Sequence, residues 1–287
     1  MDRLRARDVL RPRRGTVVLE GYRPHHDPYV AKCLEIGATL APGHFISRRS
    51  AAILHGLPCP EPPEGLVEVG SVWPRRAPRR ADIAGHRVRA GTISMCEKRG
   101  LMLPSAADVW CQLAAVLELD DLVVAGDSLI TGKLKISSGG RRRRPRASPE
   151  NLALAIERHR GSTGTGKRDI ARALLRAPVD SPQETRLRLL IRASGFTEPV
   201  VGCPVPVIGR VLHADLGYPD LKIAIEYQGA YHFGDQVEQG RWDTRRMELM
   251  RESGWRVLLV TAYDLAHPRE FLRRLASAIA AASAQNT

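Results

Sequence analysis

The sequence predicts an α/β (α+β) protein, and three observations lead there. Apolar residues at helical spacing alternate with short β-branched runs along the chain. Residues 181–287 give helix, three strands, helix and strand in that order, the pattern of a small mixed sheet with helices packed on it. No apolar run approaches the roughly 18 residues needed to cross a bilayer, so the helices belong to a water-soluble core.

The elements follow in chain order. "DPYVAKCLEIGATL" and "SRRSAAILHGL" carry the helical period, whereas "GLVEVGSVW" and "GHRVRAG" read as strands. "LPSAADVWCQLAAVLE" is expected to be one helix with Ser105 as its cap, followed by a second in "DDLVVAGDSLI". Residues 1–130 therefore form a mixed α/β region. Residues 131–150, "TGKLKISSGGRRRRPRASPE", bury no apolar face and are expected to be an exposed basic linker. Its Arg141, Arg142, Arg143, Arg144 and Arg146 either lie along phosphates or simply face solvent. Residues 151–180 read as a helical pair joined at "GSTGTGKR". That stretch fits the start of a phosphate-binding loop. Arg168 stands where a magnesium-holding Ser or Thr belongs, and a helix rather than a strand precedes it, so a helix-to-helix turn is expected.

Residues 181–287 are the sharpest segment. Ser181, Pro182 and Glu184 form a capping-box opening to a helix that Gly195 ends. "PVVGCPVPVI", "RVLHADLGY" and "LKIAIEYQG" read as three strands, the last two joined at Tyr218-Pro219-Asp220. "VEQGRWDTRRMELMRESG" reads as a helix stopped by Gly254, "WRVLLVT" as a buried strand, and Asp264 as the cap of a terminal helix.

The five cysteines are widely spaced, with no C-x-x-C pair, which argues against a disulfide framework and a zinc site. "MDRLRARDVLRPRRG" lacks the apolar stretch of a secretion signal, so a cytoplasmic protein is expected. The formal net charge is +13. Residues 181–287 hold 13 Lys and Arg against 12 Asp and Glu, which leaves 31 against 19 in the first 180. A field so placed suits a phosphate backbone, and DNA is the expected partner. An arginine-rich composition alone would give the same charge.

"KIAIEYQG" places Ala224, Glu226 and Gln228 on one face of a strand. The preceding strand brings Asp215 of "HAD" alongside, and Glu184 stands on the helix before it. Carboxylates held together repel, and one takes up a proton unless a cation joins them. All-oxygen ligation suits Mg²⁺ or Mn²⁺, and such a metal activates water for phosphodiester hydrolysis. Salt bridges from Asp215 and Glu226 to Arg186, Arg188 or Arg246 are the purely structural alternative.

The stretches "SPQETRLR", "HADLGYPDLKIAIEYQGAYH" and "WDTRRMELMRESGWRVLLVTAYDL", spanning residues 181–264, resemble the PD-(D/E)XK, or restriction-endonuclease-like, nuclease superfamily. The likeness is to an uncharacterised bacterial group related to very-short-patch-repair endonucleases. It implies Asp215 and Glu226 as metal ligands and Glu184 as the acid of the first helix. Gln228 stands where the superfamily usually has lysine; it can bind the attacking water but cannot act as a base. His232 is then a candidate acid or base, and Asp243 and Arg246 are candidates to support the site from the next helix. "ISRRSAAILHGLPCP" and "LMLPSAADVWCQLA" resemble an abortive-infection antitoxin-like region, which implies a toxin as a candidate partner. The resemblance implies a metal-dependent DNA endonuclease, with a homodimer as a natural assembly for cutting two strands. The alternatives are an antitoxin-like, nucleic-acid-binding regulator with a vestigial nuclease domain, and a protein-interaction module.

Overall fold

The computed structural model describes the backbone of residues 9–13, 16–19, 25–137, 140–229 and 236–285, and side chains over 25–132, 144–229 and 244–284. Mixed helix and sheet run throughout, in line with the α/β expectation. The chain divides into two compact units. The first holds residues up to Gly132 together with Arg144–Leu174; the second holds Lys133–Arg143 and the chain from Leu175.

In the first unit, β1 (Val9–Arg13) and β2 (Thr16–Leu19) pair antiparallel. Helix α1 (Pro28–Ala38) starts at Asp27, whose carboxylate accepts the N–H groups of Tyr29 and Val30. Strand β3 (His44–Ile46) leads into α2 (Arg48–His55), and β4 (Val67–Val72) and β5 (Ile83–Val88) complete a three-stranded sheet. Within it β3–β4 is antiparallel and β4–β5 parallel. A hairpin of β6 (Met95–Lys98) and β7 (Leu101–Pro104) turns at Arg99-Gly100, both with positive φ.

The two helices expected in "LPSAADVWCQLAAVLE" and "DDLVVAGDSLI" are α3 (Ala106–Leu113), capped at Ser105, and α4 (Leu119–Thr131); α3 is shorter than expected and ends at Leu113. Trp110 of α3 is completely buried and donates its indole N–H to the Leu122 carbonyl of α4 at 2.9 Å. The basic linker also departs from expectation: β8 (Lys133–Ser137) and β9 (Gly140–Arg144) form a two-stranded sheet. Pairing two strands satisfies backbone groups without needing a buried face, so polarity alone did not exclude it. Helices α5 (Pro149–Arg158) and α6 (Thr165–Leu174) pack on α3 and α4, so the helical pair belongs to the first unit. The turn between them is structural. Arg168 is buried and donates to the His159 carbonyl, Lys167 donates to the Leu117 carbonyl, and a Cβ on Gly164 would lie 2.5 Å from the Ala114 carbonyl oxygen.

The second unit runs α7 (Pro182–Ala193), β10 (Val200–Val207), β11 (Arg210–Tyr218), β12 (Ile223–Gln228), α8 (Gln236–Glu252), β13 (Arg256–Thr261), α9 (Ala262–Ala266) and α10 (Arg269–Gln285). The expected order of helix, three strands, helix and strand is present. The sheet order is β10-β11-β12-β13, antiparallel except for the parallel pair β12–β13, whose crossover contains α8. The two prolines of β10 stand on an edge strand, where missing N–H donors cost least. One core sets Ile223, Ile225, Leu216 and Leu258 against Leu187 of α7 and Phe271 of α10. The other gathers Cys203, Ala214, Ala224 and Trp255 around Met250 of α8. Asp264, expected to cap the terminal helix, instead completes a capping box with the N-cap Thr261 on the short α9.

Among the described residues no helix is long and apolar enough to cross a membrane.

Candidate active site

The site is built where β11 and β12 part. Their ladder ends with Leu216 opposite Ile225, one step before Asp215 and Glu226. Asp215 closes it, accepting the Tyr227 N–H at 2.8 Å on Oδ2. The strand is bent here. Leu212 and Ala214 pack in the α8 core, but Leu216 and Tyr218 pack in the core of α7 and α10, although all four have the same parity. Regular alternation forbids that. The ladder to β10 pairs Val201 with Leu216 and Cys203 with Ala214, and between these pairs Gly202 has φ +55°. A glycine in the left-handed region lets the two strands change faces together, with Asp215 at the pivot.

Glu226 shares the α8 face with Ala224 and is 6% exposed. Arg246 of α8 grips both of its oxygens, at 3.0 Å each, and also donates to the His213 carbonyl. Arg246 therefore lies on Glu226 itself. Arg188, another of the candidate arginines, pairs with Glu198 at 2.7 Å.

Glu184 sits in the first turn of α7, 8% exposed. Ser181 accepts the Glu184 N–H at 3.2 Å, as the capping-box spacing implies. The return bond goes one residue further back, since Glu184 Oε2 accepts the Asp180 N–H at 2.9 Å.

The electrostatics tie these acids together. Burial pushes Glu226 up to about 8; the Asp215 carboxylate adds to this, Arg246 opposes it, and Glu184 adds a little more. Burial pushes Glu184 up to about 7, with Asp215 next and the Asp180 carboxylate also contributing. Carboxylates from α7, β11 and β12 thus feel one another's charge, Glu184 and Glu226 buried and Asp215 half-buried, and Arg246 is joined to Glu226. Asp180 was not singled out from the sequence; its only signal was an acid immediately before the N-cap.

Gln228 ends β12, half-buried, opposite Thr261 of β13. His232 lies outside the described residues, as do the side chains of Asp243, Arg141, Arg142 and Arg143. Arg144 is exposed. Arg146 is held inside the first unit, donating to the carbonyls of His55, Gly56 and Ser128.

Among the described residues no three His, Cys, Asp or Glu side chains stand in metal-holding geometry. The donor chemistry does fit a hard divalent cation. All donors are oxygens, and Glu184 and Glu226 are buried. Glu226 would have to exchange Arg246 for the metal. No protein-family model and no curated protein matches the chain.

Proposed function

We propose that the second unit is a metal-dependent DNA endonuclease that hydrolyses phosphodiester bonds, with a PD-(D/E)XK-type core. The observation that carries this is the trio Glu184, Asp215 and Glu226, in which burial first, and then the charge of Asp215, raise Glu184 and Glu226 toward neutrality. Burying two acids beside a half-buried third costs stability that well-packed apolar residues would not. The arrangement makes sense where a cation is to be bound. The order of elements and the divergence of β11 and β12 at the acids support the same reading.

Asp215 and Glu226 would hold Mg²⁺ or Mn²⁺, and the metal would supply a polarised phosphoryl oxygen and a more acidic bound water. The chain's own residues do the positioning. The Tyr227 N–H fixes the Asp215 carboxylate relative to β12. The Asp180 N–H anchors the Glu184 carboxylate at the start of α7. Gln228 has an amide that orients water without changing its charge. Arg246 is close enough to steady a phosphate once released from Glu226. The basic first unit would hold the DNA backbone, and two copies would serve the two strands. Five free thiols suit the reducing cytoplasm.

A second reading has its own observation. The two-pronged Arg246–Glu226 pair, with Gln228 in place of lysine, also suits a vestigial site on a DNA-binding, antitoxin-like regulator. Incubating the protein with supercoiled plasmid, with and without Mg²⁺ or Mn²⁺, separates the two. Metal-dependent nicking that both Asp215→Ala and Glu226→Ala abolish is the expected result. Nicking that survives both changes removes this assignment, and a gel shift with no cleavage selects the regulator.

A further inference from the structure

We propose that the first unit contains a pocket for a terminal phosphate group, carried by a mononucleotide or by the end of a nucleic-acid chain. The pocket is a cavity of about 280 Å³ lined by Arg48, Arg87, Arg89, Arg158, Arg160 and Gln112, together with the turn that follows α5. Its lining contains no Asp or Glu. Its volume lies at the small end of ligand pockets, roughly 300–1,000 Å³, so it suits a compact group rather than a length of duplex.

The charges in this lining are unevenly matched. Arg158 is satisfied: both carboxylate oxygens of the buried Asp108 accept from it, at 2.9 Å each. Arg48 is not. Burial pulls its guanidinium below the usual arginine range, and the acid that attracts it, Glu68, is already engaged by the Arg49 N–H at 2.7 Å and by the Arg49 guanidinium at 3.8 Å. Among the described residues no carboxylate forms an ion pair with Arg48. A half-buried cation without a matched anion gains from a bound one.

A neutral donor points to the same ligand. Gln112 is 7% exposed, and its Oε1 accepts the Arg48 N–H at 3.1 Å. That bond fixes the amide, leaving Nε2 as a buried donor without a partner. Arg48 itself has φ +47°, a conformation that costs a non-glycine residue about 1–2 kcal/mol and is kept only where its surroundings impose it. The Gln112 bond to its backbone is one such constraint. The sidewall from β5 adds Arg87 and Arg89, both exposed and free to fold over an incoming anion. Arginine forks on one side and a fixed amide donor on the other match the oxygens of a phosphomonoester. No sequence motif marks this pocket, because its parts come from α2, α3, β5 and the turn after α5.

Isothermal titration of the full chain in EDTA, at low salt, tests the proposal. The probes are inorganic phosphate, dAMP, and one oligodeoxynucleotide with and without a 5′-phosphate. The expected result is that a phosphomonoester binds at least about tenfold more tightly than the matching hydroxyl end. Binding of dAMP would identify the free nucleotide as the source; binding of the phosphorylated oligonucleotide alone would identify the chain end. Gln112→Glu keeps the acceptor for Arg48 and replaces the free donor by a carboxylate, so it should weaken binding about tenfold or more. Arg87→Ala, at an exposed strand position, should weaken it severalfold without affecting thermal unfolding. Asp215→Ala should bind as the wild type does, which separates this pocket from the nuclease reading. Equal binding of both oligonucleotides, or full binding by both pocket variants, overturns the proposal. So does binding of inorganic phosphate alone, which would mark an adventitious ion only.

Discussion

Glu226 has two opposed influences on its proton, and they make a measurable prediction. Burial and Asp215 raise it from 4.5 to about 8, while Arg246 favours the charged form. Since the folded carboxyl is raised, the folded chain binds more protons than the unfolded chain between those values. Its contribution to stability is fully present below about pH 4.5 and is lost as pH rises through about 8. Glu184, raised to about 7, acts in the same direction. Metal-free wild-type protein should therefore lose stability relative to Glu226→Gln as pH rises from about 5 to about 9, and Mg²⁺ should reduce that loss. Urea unfolding of both proteins across that range, with EDTA or Mg²⁺, is the measurement. A difference between them that does not change with pH would show that Arg246 alone fixes the charge of Glu226. The identities of the three acids were legible in the sequence, because strand alternation and a tight turn bring Asp215 and Glu226 together. The Arg246 grip was legible only as one of three arginine candidates, because choosing among them requires the packing of α8 on the sheet.

At the scale of the elements, the sequence shows what local rules control. Caps at Ser105 and Ser181, the stop at Gly254 and the strand patterns of β12 and β13 depend on neighbouring residues, and they stand where the residues imply. Features set by tertiary contact were not legible. The β6–β7 hairpin has a polar, largely exposed first strand, and the β8–β9 pair lies in a stretch whose arginines suggested a loop. The face change at Gly202 and Asp215 belongs to the same group, although a glycine inside a strand run was its visible trace. That glycine is specific to the site. Gly202→Val would place a β-branched residue at φ +55°, with the new Cβ 3.3 Å from Pro178 Cγ. A cost of about 1–2 kcal/mol is expected from the backbone alone. If the strand relieves the strain by straightening, Asp215 shifts, and plasmid nicking should fall further than the lost stability explains. Thermal unfolding and nicking rates measured side by side test this. A variant that loses stability yet keeps full nicking would show that the bend does not set the position of Asp215.

For the whole molecule, the excess of basic residues is shared between the units. The first 180 residues hold 31 basic against 19 acidic residues, and five of those bases lie in Lys133–Arg143 of the second unit, which leaves the first unit at +7; the trio of acids lies in the second. The second unit has two cores of its own, on both faces of its sheet, built wholly from residues between Leu187 and Ala282. Its larger part is also continuous in sequence, from Leu175 to the end, with Lys133–Arg143 the only segment supplied from elsewhere. A chain starting at Leu175 should therefore unfold cooperatively, since each helix of the unit keeps its sheet face to pack on. Under the proposed function it should retain metal-dependent nicking at high protein concentration. Its DNA affinity should fall, and with it the dependence on salt, because each lysine or arginine removed from the phosphate backbone takes about one unit from the slope of log affinity against log salt. Binding titrations of full chain and fragment across a salt series provide the comparison. A fragment that binds DNA with the full chain's salt slope would place the phosphate contacts in the second unit. The basic first unit would then have some other partner than the DNA backbone.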